Sequence, residues 1–420
     1  MTWAVEALKG PGSGSPREKS SHNKEKFMTD AVIVSACRTA VGTAFKGSLT
    51  ETEASDLAVA VLEESLKRTG IDPKEIDDCV MAESLYGGGV IGRYAAVKAG
   101  LVSVPAQAHN RHCASGMAAI QTAAGSIMAG MDDAVIAGGV QSSSTSPMGR
   151  RRIVGTDDWQ EQWMSPTHPE TPDAPAMDMS ITVGWNTAQI VGITREEMDE
   201  WALGSHNRAV QAIDEGRFKE EIVPMSVTKR DGTNVVFDTD EHPRRGSTME
   251  KMGSLKVLHP EIEEFSITAG NASGMNDGAA ALVITSGEFA SEHGLKPLAT
   301  IRSWASVGVE PAETGMAPTL AIPKALDRAG LSIADVDLFE INEAFAVVPI
   351  AAAKVLGIDP TIINVSGSGC SLGHPIAATG ARMITTLVYD LIRRGGGIGV
   401  ASMCAGGGMG SATVIEVAKQ

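Results

Sequence analysis

Two stretches of this chain, 260 residues apart, echo each other. Leu66-Lys67-Arg68-Thr69-Gly70-Ile71 is echoed by Leu326-Asp327-Arg328-Ala329-Gly330-Leu331, and Ile76-Asp77 is echoed by Val336-Asp337. Such self-similarity means one supersecondary unit used twice. Periodicity shows what the unit contains. Ala31–Ala36 is a short apolar, β-branched run, which predicts a buried strand. Residues 53–69 carry Leu57, Ala60, Val61 and Leu66 at helical spacing and stop at Gly70. An Ala-rich helix is predicted over 117–130 and a strand over 134–139. In the second copy, Met383, Leu387 and Leu391 share a helix face, Gly395–Gly397 end it, and 398–403 reads as a strand. Strands alternating with helices predict an α/β layered fold. The copies stay in step: Asp77 lies 36 residues before Cys113, and Asp337 lies 37 before His374. Cys113 and His374 are thus expected at equivalent helix starts, facing one cleft.

Between the copies the rhythm breaks. Residues 145–195 hold Pro147, Pro166, Pro169, Pro172 and Pro175 and three arginines at 150–152. We read them as an irregular surface excursion, and long loops in compact domains tend to be functional. A helix follows at about 195–216, then a turn at Asp231-Gly232-Thr233, and the regular pattern returns by Asn276–Ile284. Residues 1–27, with Gly10–Pro16 and a charged stretch after it, read as a disordered tail.

Composition narrows the function. With 420 residues, 43% of them hydrophobic, the chain can bury large cores. Aromatics are only 4%, so small aliphatic residues must pack helices closely on sheets. A formal charge of −16 argues against a nucleic-acid partner but not against an anionic substrate held by local cations. Five irregularly spaced cysteines without a secretory signal suggest a reducing, cytoplasmic compartment. No stretch is apolar and long enough for a membrane span.

Cys113 has the best local setting for a nucleophile. It lies in Asn110-Arg111-His112-Cys113-Ala114-Ser115-Gly116, where small residues open the predicted helix. Unpaired N–H groups and the positive dipole end there favour thiolate. On this segment alone a buried structural cysteine explains the residue more simply. Three later motifs change that. Glu340-Ile341-Asn342-Glu343-Ala344-Phe345-Ala346 follows a strand read at Val336–Phe339. Gly367-Ser368-Gly369-Cys370-Ser371-Leu372-Gly373-His374-Pro375 opens the late helix. Cys404-Ala405-Gly406-Gly407-Gly408 ends strand 398–403. Ligands of open α/β sheets bind at the carboxyl ends of strands. A zinc site of Cys113, Cys370, His374 and Cys404 is a competing reading, but paired C-x₂-C hairpins are missing.

Together with Thr268–Gly274 and Asn276–Ala280, these motifs resemble the thiolase superfamily, in the expected order over residues 28–420. The resemblance implies a duplicated, layered α-β-α-β-α fold. One half would span 28–145 plus 271–296, the other 297–420, with an inserted loop domain at 146–270 covering coenzyme A. It implies an acyltransferase of fatty acid metabolism, such as β-oxidation, that makes or breaks the carbon–carbon bond of a 3-ketoacyl-CoA by a ping-pong route. Cys113 would carry the acyl group and Cys404 would act as acid and base. His374 would activate Cys113 and, with Asn342, stabilise an enolate. The N–H groups of Cys113 and Gly406 would form a second oxyanion hole. Arg244 would meet the nucleotide phosphates and Ser273 the pantetheine, and Phe345 would wall the pocket. CoA and acyl-CoA would be substrates, with no separate cofactor or metal. The family forms homodimers and homotetramers. The chain departs from the pattern around the acyl pocket. The covering-loop signature Met-Gly, two residues, Ala-Glu-Asn is replaced by Met179-Ser180-Ile181-Thr182-Val183-Gly184-Trp185-Asn186. The usual His-Met pair is missing, Ala317-Pro318 replaces Gly-Pro, and Thr314 stands where a methionine can occur. We therefore expect an acyl partner other than acetoacetyl-CoA.

Overall fold

The computed structural model describes residues 29–86 and 88–419; the tail expected at 1–27 lies outside them. In the first copy, strand β1 (Ala31–Thr39) leads into helix α1 (Ala54–Thr69), then β2 (Asp78–Ala82), β3 (Ala106–His109), α2 (Ser115–Met128) and β4 (Ala134–Ser142). The excursion carries α3 (Arg195–Asp214) and returns through β5 (Asn276–Ser286). The second copy comprises β6 (Ala299–Gly308), α4 (Ala317–Ala329), β7 (Leu338–Ile341), α5 (Val347–Leu356), α6 (Ile376–Arg394), β8 (Gly397–Ala405) and β9 (Met409–Val417).

The repeat read in the sequence is a repeat in space. Gly70 and Gly330 both turn left-handed to end α1 and α4. Asp77 Oδ2 accepts from the N–H groups of Asp133 and Ala134, and Asp337 Oδ2 accepts from that of Ile398, so each aspartate pins the start of its neighbouring strand. The strands run in the order β7-β8-β9-β6-β1-β5-β4-β2-β3. The halves join where Ala31–Ile33 pairs antiparallel with Ala299–Ile301. In each half the strands nearest the outer edge are parallel and the inner ones antiparallel.

Alternation along the strands builds three apolar layers. Cys79 and Met81 face α1, while Val80 and Ala82 face α2. Phe339 and Ile341 face α4 and α5 in the other half, and Leu338 turns inward. The middle layer is α2 packed on α6, enclosed by both half-sheets. Side chains at their crossing are nearly absent. A Cβ on Gly116 would lie 2.7 Å from Ala377 O, and one on Gly380 would lie 2.4 Å from Met117 N. Ala377 follows His374 by three residues, as Gly116 follows Cys113, so the equivalent points of the two copies touch.

Two expected boundaries move. Helix α2 begins at Ser115 and ends at Met128, two residues earlier than predicted. Strand β7 begins at Leu338, because Ile333–Asp335 form a 3₁₀ turn, so Glu340 lies within the strand rather than after it. The excursion is also more ordered than expected. Gly149–Arg152 and Trp159–Trp163 form an exposed hairpin with Arg150 stacked on Trp159 and Arg151 on Trp163. The turn at 231–233 closes a second hairpin, Met225–Thr228 with Asn234–Phe237. Fully buried Arg38 on β1 holds this region, reaching Glu221 at 2.6 Å and Asp240 at 2.7 Å. Among the described residues no helix is long and apolar enough to cross a membrane.

The glycine crossing sets a testable cost. Gly380→Ala should lower stability in urea titration by about 1–3 kcal/mol through overpacking. Gly253→Ala, where a Cβ meets nothing within 4 Å, should stay within about 0.5 kcal/mol of the parent.

Candidate active site

The crossing of α2 and α6 brings their first turns together, the one starting just after Cys113 and the other just after His374. Cys113 lies just ahead of α2, after His112, whose φ of 46° is unusual for a side-chain-bearing residue. That strained turn is locked. Ser115 Oγ donates to His112 O at 2.6 Å and accepts from Arg111 N–H at 2.8 Å, and Ser84 Oγ also donates to His112 O. Two backbone N–H groups near the Cys113 thiol, its own and that of Gly406, favour the thiolate. They do not make it a resting thiolate, as the helix-start argument anticipated. Burial outweighs both donors and pushes the thiol above its ordinary range.

His374 is held from the other half of the molecule. Its N–H donates to Asn276 Oδ1 at 2.9 Å, and Asn276 Nδ2 donates to Gly42 O. Gly373 has φ 100°, and a Cβ there would strike the Asn276 amide at 2.5 Å. The ring is held through Thr379, whose Oγ1 lies 2.7 Å from His374 Nδ1 and 2.8 Å from Pro375 O. The single hydroxyl hydrogen goes to Pro375 O, so Nδ1 carries the imidazole proton and Nε2 presents a lone pair. Burial, with Arg382 nearby, lowers the His374 pKa to about 3. Neutral imidazole with a buried, unpartnered Nε2 can accept a proton.

Asn342 follows β7. Its N–H donates to Ser402 O, while both side-chain amide atoms are buried without a partner. Orphaned polar atoms at full burial call for an explanation, and a ligand or water is the usual one. Room beside Asn342 exists because residue 369 is glycine: a Cβ there would lie 2.9 Å from Asn342 Oδ1. Neighbouring Glu343, also buried, faces no cation. It accepts from Trp201 Nε1 (3.0 Å), Ser205 Oγ (2.6 Å), Asn364 Nδ2 (2.8 Å) and Cys370 N (3.1 Å). Cys404 lies near the end of β8. Its thiol is held well above the ordinary range by burial and then by the neighbouring Cys113, since a thiolate on one sulfur opposes one on the other.

Phe345 is buried against Gly184 of the covering segment, and Ala272 pairs with it as a bridge. Ser273 N–H donates to Ala344 O at 2.9 Å. Arg244 is exposed; burial depresses both His206 and His242 to about 4, helped at His206 by His242 and then Arg244, and at His242 by Arg244. His242 also abuts Gly274, so Arg244 and Ser273 border one neighbourhood. Cys370 is fully buried beside Asn271 O and Glu343 O, away from any cation. Among the described residues no three His, Cys, Asp or Glu side chains are grouped to hold a metal ion.

The covering segment 179–186 is one residue longer than the signature it replaces. Asn186 N–H donates to Ile181 O, a π-helical spacing that absorbs the extra residue. Counting residues against the signature would have revealed this turn. Thr379 carried no sequence signal of its own, and Asn276 was visible only as part of a glycine-rich run.

Sequence models of the thiolase N-terminal and C-terminal domains match residues 31–288 and 295–417. The chain belongs to the thiolase family. It is 43% identical to an acetyl-CoA acetyltransferase of Cupriavidus necator, covering 93% of this chain and all of that one. It is 42% identical to that of Escherichia coli, covering 93% and 99%. The crystal structure of the Bacillus anthracis acetyl-CoA acetyltransferase superposes with a TM-score of 0.85 at 40% identity, over 94% of this chain and all of that one. Human mitochondrial 3-ketoacyl-CoA thiolase gives 0.85 at 33% identity, over 93% and 99%.

The raised thiol makes a kinetic prediction. Inactivation of the free enzyme by iodoacetamide at Cys113 should accelerate about tenfold per pH unit from pH 7 to 8.5, since only the thiolate reacts. A plateau below pH 8 would reveal a resting thiolate and contradict the burial argument.

Proposed function

We propose that this thiolase, an acyltransferase, cleaves 3-ketoacyl-CoA with free CoA, and runs the reverse condensation, through an acyl group on Cys113. The observation that carries this reading is the proximity of the Cys113 thiol to the Gly406 N–H and to the Cys404 thiol. Neutral His374 Nε2 takes the Cys113 proton as sulfur attacks the 3-keto carbon. The oxygen gains charge where the two N–H groups point. The C2–C3 bond then breaks, and its electron pair forms the thioester enolate of acetyl-CoA. The orphaned Asn342 amide, through a water, and the protonated His374 are suited to hold that oxygen. Cys404 protonates C2, and acetyl-CoA leaves. The Cys404 thiolate then takes the proton of incoming CoA, whose sulfur displaces the acyl group from Cys113. His374 returns its proton to Cys113. Covalent catalysis of this kind replaces one hard displacement with two easier ones.

Residues 146–270 are read as the cover over CoA, with Arg244 toward its phosphates and Ser273 toward its pantetheine. A homo-oligomer is the expected assembly. Support comes from the open edge strand β3 and the exposed Tyr94, Val97 and Val102 beside it. The names of the relatives speak for an acetyl group as the acyl partner. The longer covering segment and Thr314 speak for a larger one, which we adopt.

Thiolysis is followed with free CoA. Cys113→Ala should abolish turnover, and activity surviving it would overturn the mechanism. Cys404→Ser should lower kcat at least 10²-fold while Cys113 still becomes alkylated. Longer or branched 3-ketoacyl-CoAs should be turned over faster than acetoacetyl-CoA; equal or better rates on acetoacetyl-CoA would sink the assignment of a larger acyl group.

A further inference from the structure

The Gly406–Gly408 loop contains the proposed oxyanion donor and is the three-residue turn closed by the Ala405–Met409 pair of β8 and β9. Gly407 and Gly408 both have positive φ, 85° and 75°, and neither has a side chain with which to anchor the loop. Beyond that ladder, its tip is tied to the segment before α4. Val309 N–H donates to Gly408 O at 2.7 Å, and Gly408 N–H donates to Thr314 Oγ1 at 3.0 Å. Thr314 is fully buried and passes its own hydrogen to Pro311 O at 2.6 Å. Its hydroxyl therefore serves both as acceptor from the loop and as donor to the turn. No aliphatic or thioether side chain can accept in this way with comparable strength.

The same turn grips the covering segment. A Cβ on Gly315 would lie 2.0 Å from Thr187 Oγ1 and 3.1 Å from Val183 O, so the π-helical stretch and its continuation sit directly on Gly315. Asn186 Nδ2 donates to Ala312 O at 3.1 Å. Thr167 packs over the other side of the loop, where a Cβ on Gly407 would lie 2.7 Å from its carbonyl oxygen. Residues 311–316 thus touch the acyl cover on one side and the oxyanion loop on the other.

We propose that Thr314 is a positioning residue for the thiolase reaction: through Gly408 it fixes where the Gly406 N–H points and couples that aim to the covering segment. The inference rests on the acyl-Cys113 reading above. An oxyanion donor acts only when its hydrogen already lies where charge develops. Without the Thr314 acceptor, Gly408 N–H is buried and unpaired, and the loop must shift to regain a partner.

The test compares Thr314→Val, which keeps the shape and removes the acceptor, with Thr314→Ser, which keeps the hydroxyl. In thiolysis of the best 3-ketoacyl-CoA, Thr314→Val should lower kcat about tenfold, with KM for both substrates within about twofold of wild type. Thr314→Ser should recover kcat to within about threefold. A fold defect would lower the active fraction of both variants, so kcat is referred to the Cys113 titrated by radiolabelled iodoacetamide. Thr314→Ala, smaller and free of crowding, stands in if the valine variant does not fold. Wild-type enzyme run in parallel tests the parent reading. With wild type active, an unchanged kcat in Thr314→Val, or a serine variant as slow as the valine one, overturns the positioning role alone.

Discussion

The close approach of α2 and α6 is the constraint from which the rest of the molecule follows. Two helices carrying Gly116, Ala377, Ala381 and Gly380 at their contact can bring backbone almost against backbone. Larger side chains there would hold the helices apart, and the half-sheets wrapped around them would separate too. Gly139 on β4 follows the same logic, since a Cβ there would lie 2.1 Å from Ala377 O. The proposed chemistry needs groups from two distant parts of the chain within bonding distance of one substrate atom. Duplication with a near-symmetric crossing delivers this without long flexible side chains. It also explains why a chain with 4% aromatics builds so tight a core.

Around that crossing the protein keeps ionised groups away from the reacting sulfur. The buried ion pairs lie behind the site. Arg382 meets Glu340 at 2.7 Å, and Arg38 meets Glu221 and Asp240. At the front stand a raised thiol, a neutral imidazole, an orphaned amide and two peptide N–H groups. Fixed dipoles suit a reaction whose charge appears only in passing, because they need not reorganise when it does. Glu343 follows the same economy, satisfied by four donors rather than by a cation. Its partners lie on α3 and on the 364–370 loop, so it ties the cover to that loop.

The repeat was legible because it is written in residues with little freedom. A left-handed stop needs glycine, as at Gly70 and Gly330, and a strand start pinned by a carboxylate needs an acid, as at Asp77 and Asp337. The site motifs were legible for a related reason: their glycines mark backbone approaches that no side chain tolerates, as at Gly369 and Gly373. What escaped the sequence was the balance of opposing effects. The helix start before Ser115 argues for thiolate, and only the packing around Cys113 shows that burial prevails. Thr379 looks like any small helix residue until its hydroxyl is seen between Pro375 O and His374 Nδ1. The excursion hid its hairpins because proline content describes where a chain is not helical, and says little about which polar strands pair.

The π-helical turn at Ser180–Trp185 shows how specificity can change without touching the catalytic set. One added residue in an α-helix would rotate everything after it by about 100°. Taken up as a wider turn, it leaves Asn186 able to reach Asp173 O and Ala312 O and keeps the cover seated on Gly315. The surplus is confined to Ile181–Trp185, the stretch that packs on Phe345, Phe265 and Ile267. Trp185 stacks on Phe265 with ring centroids 5.2 Å apart, filling volume that a glutamate would have left polar. The cover is therefore re-lined with apolar surface while its two ends stay fixed. Under the proposed mechanism, a carbonyl is handled identically by Cys113, His374, Cys404 and Gly406 whatever lies beyond its α-carbon, and that proposal leaves discrimination among acyl groups to the segment that absorbed the insertion.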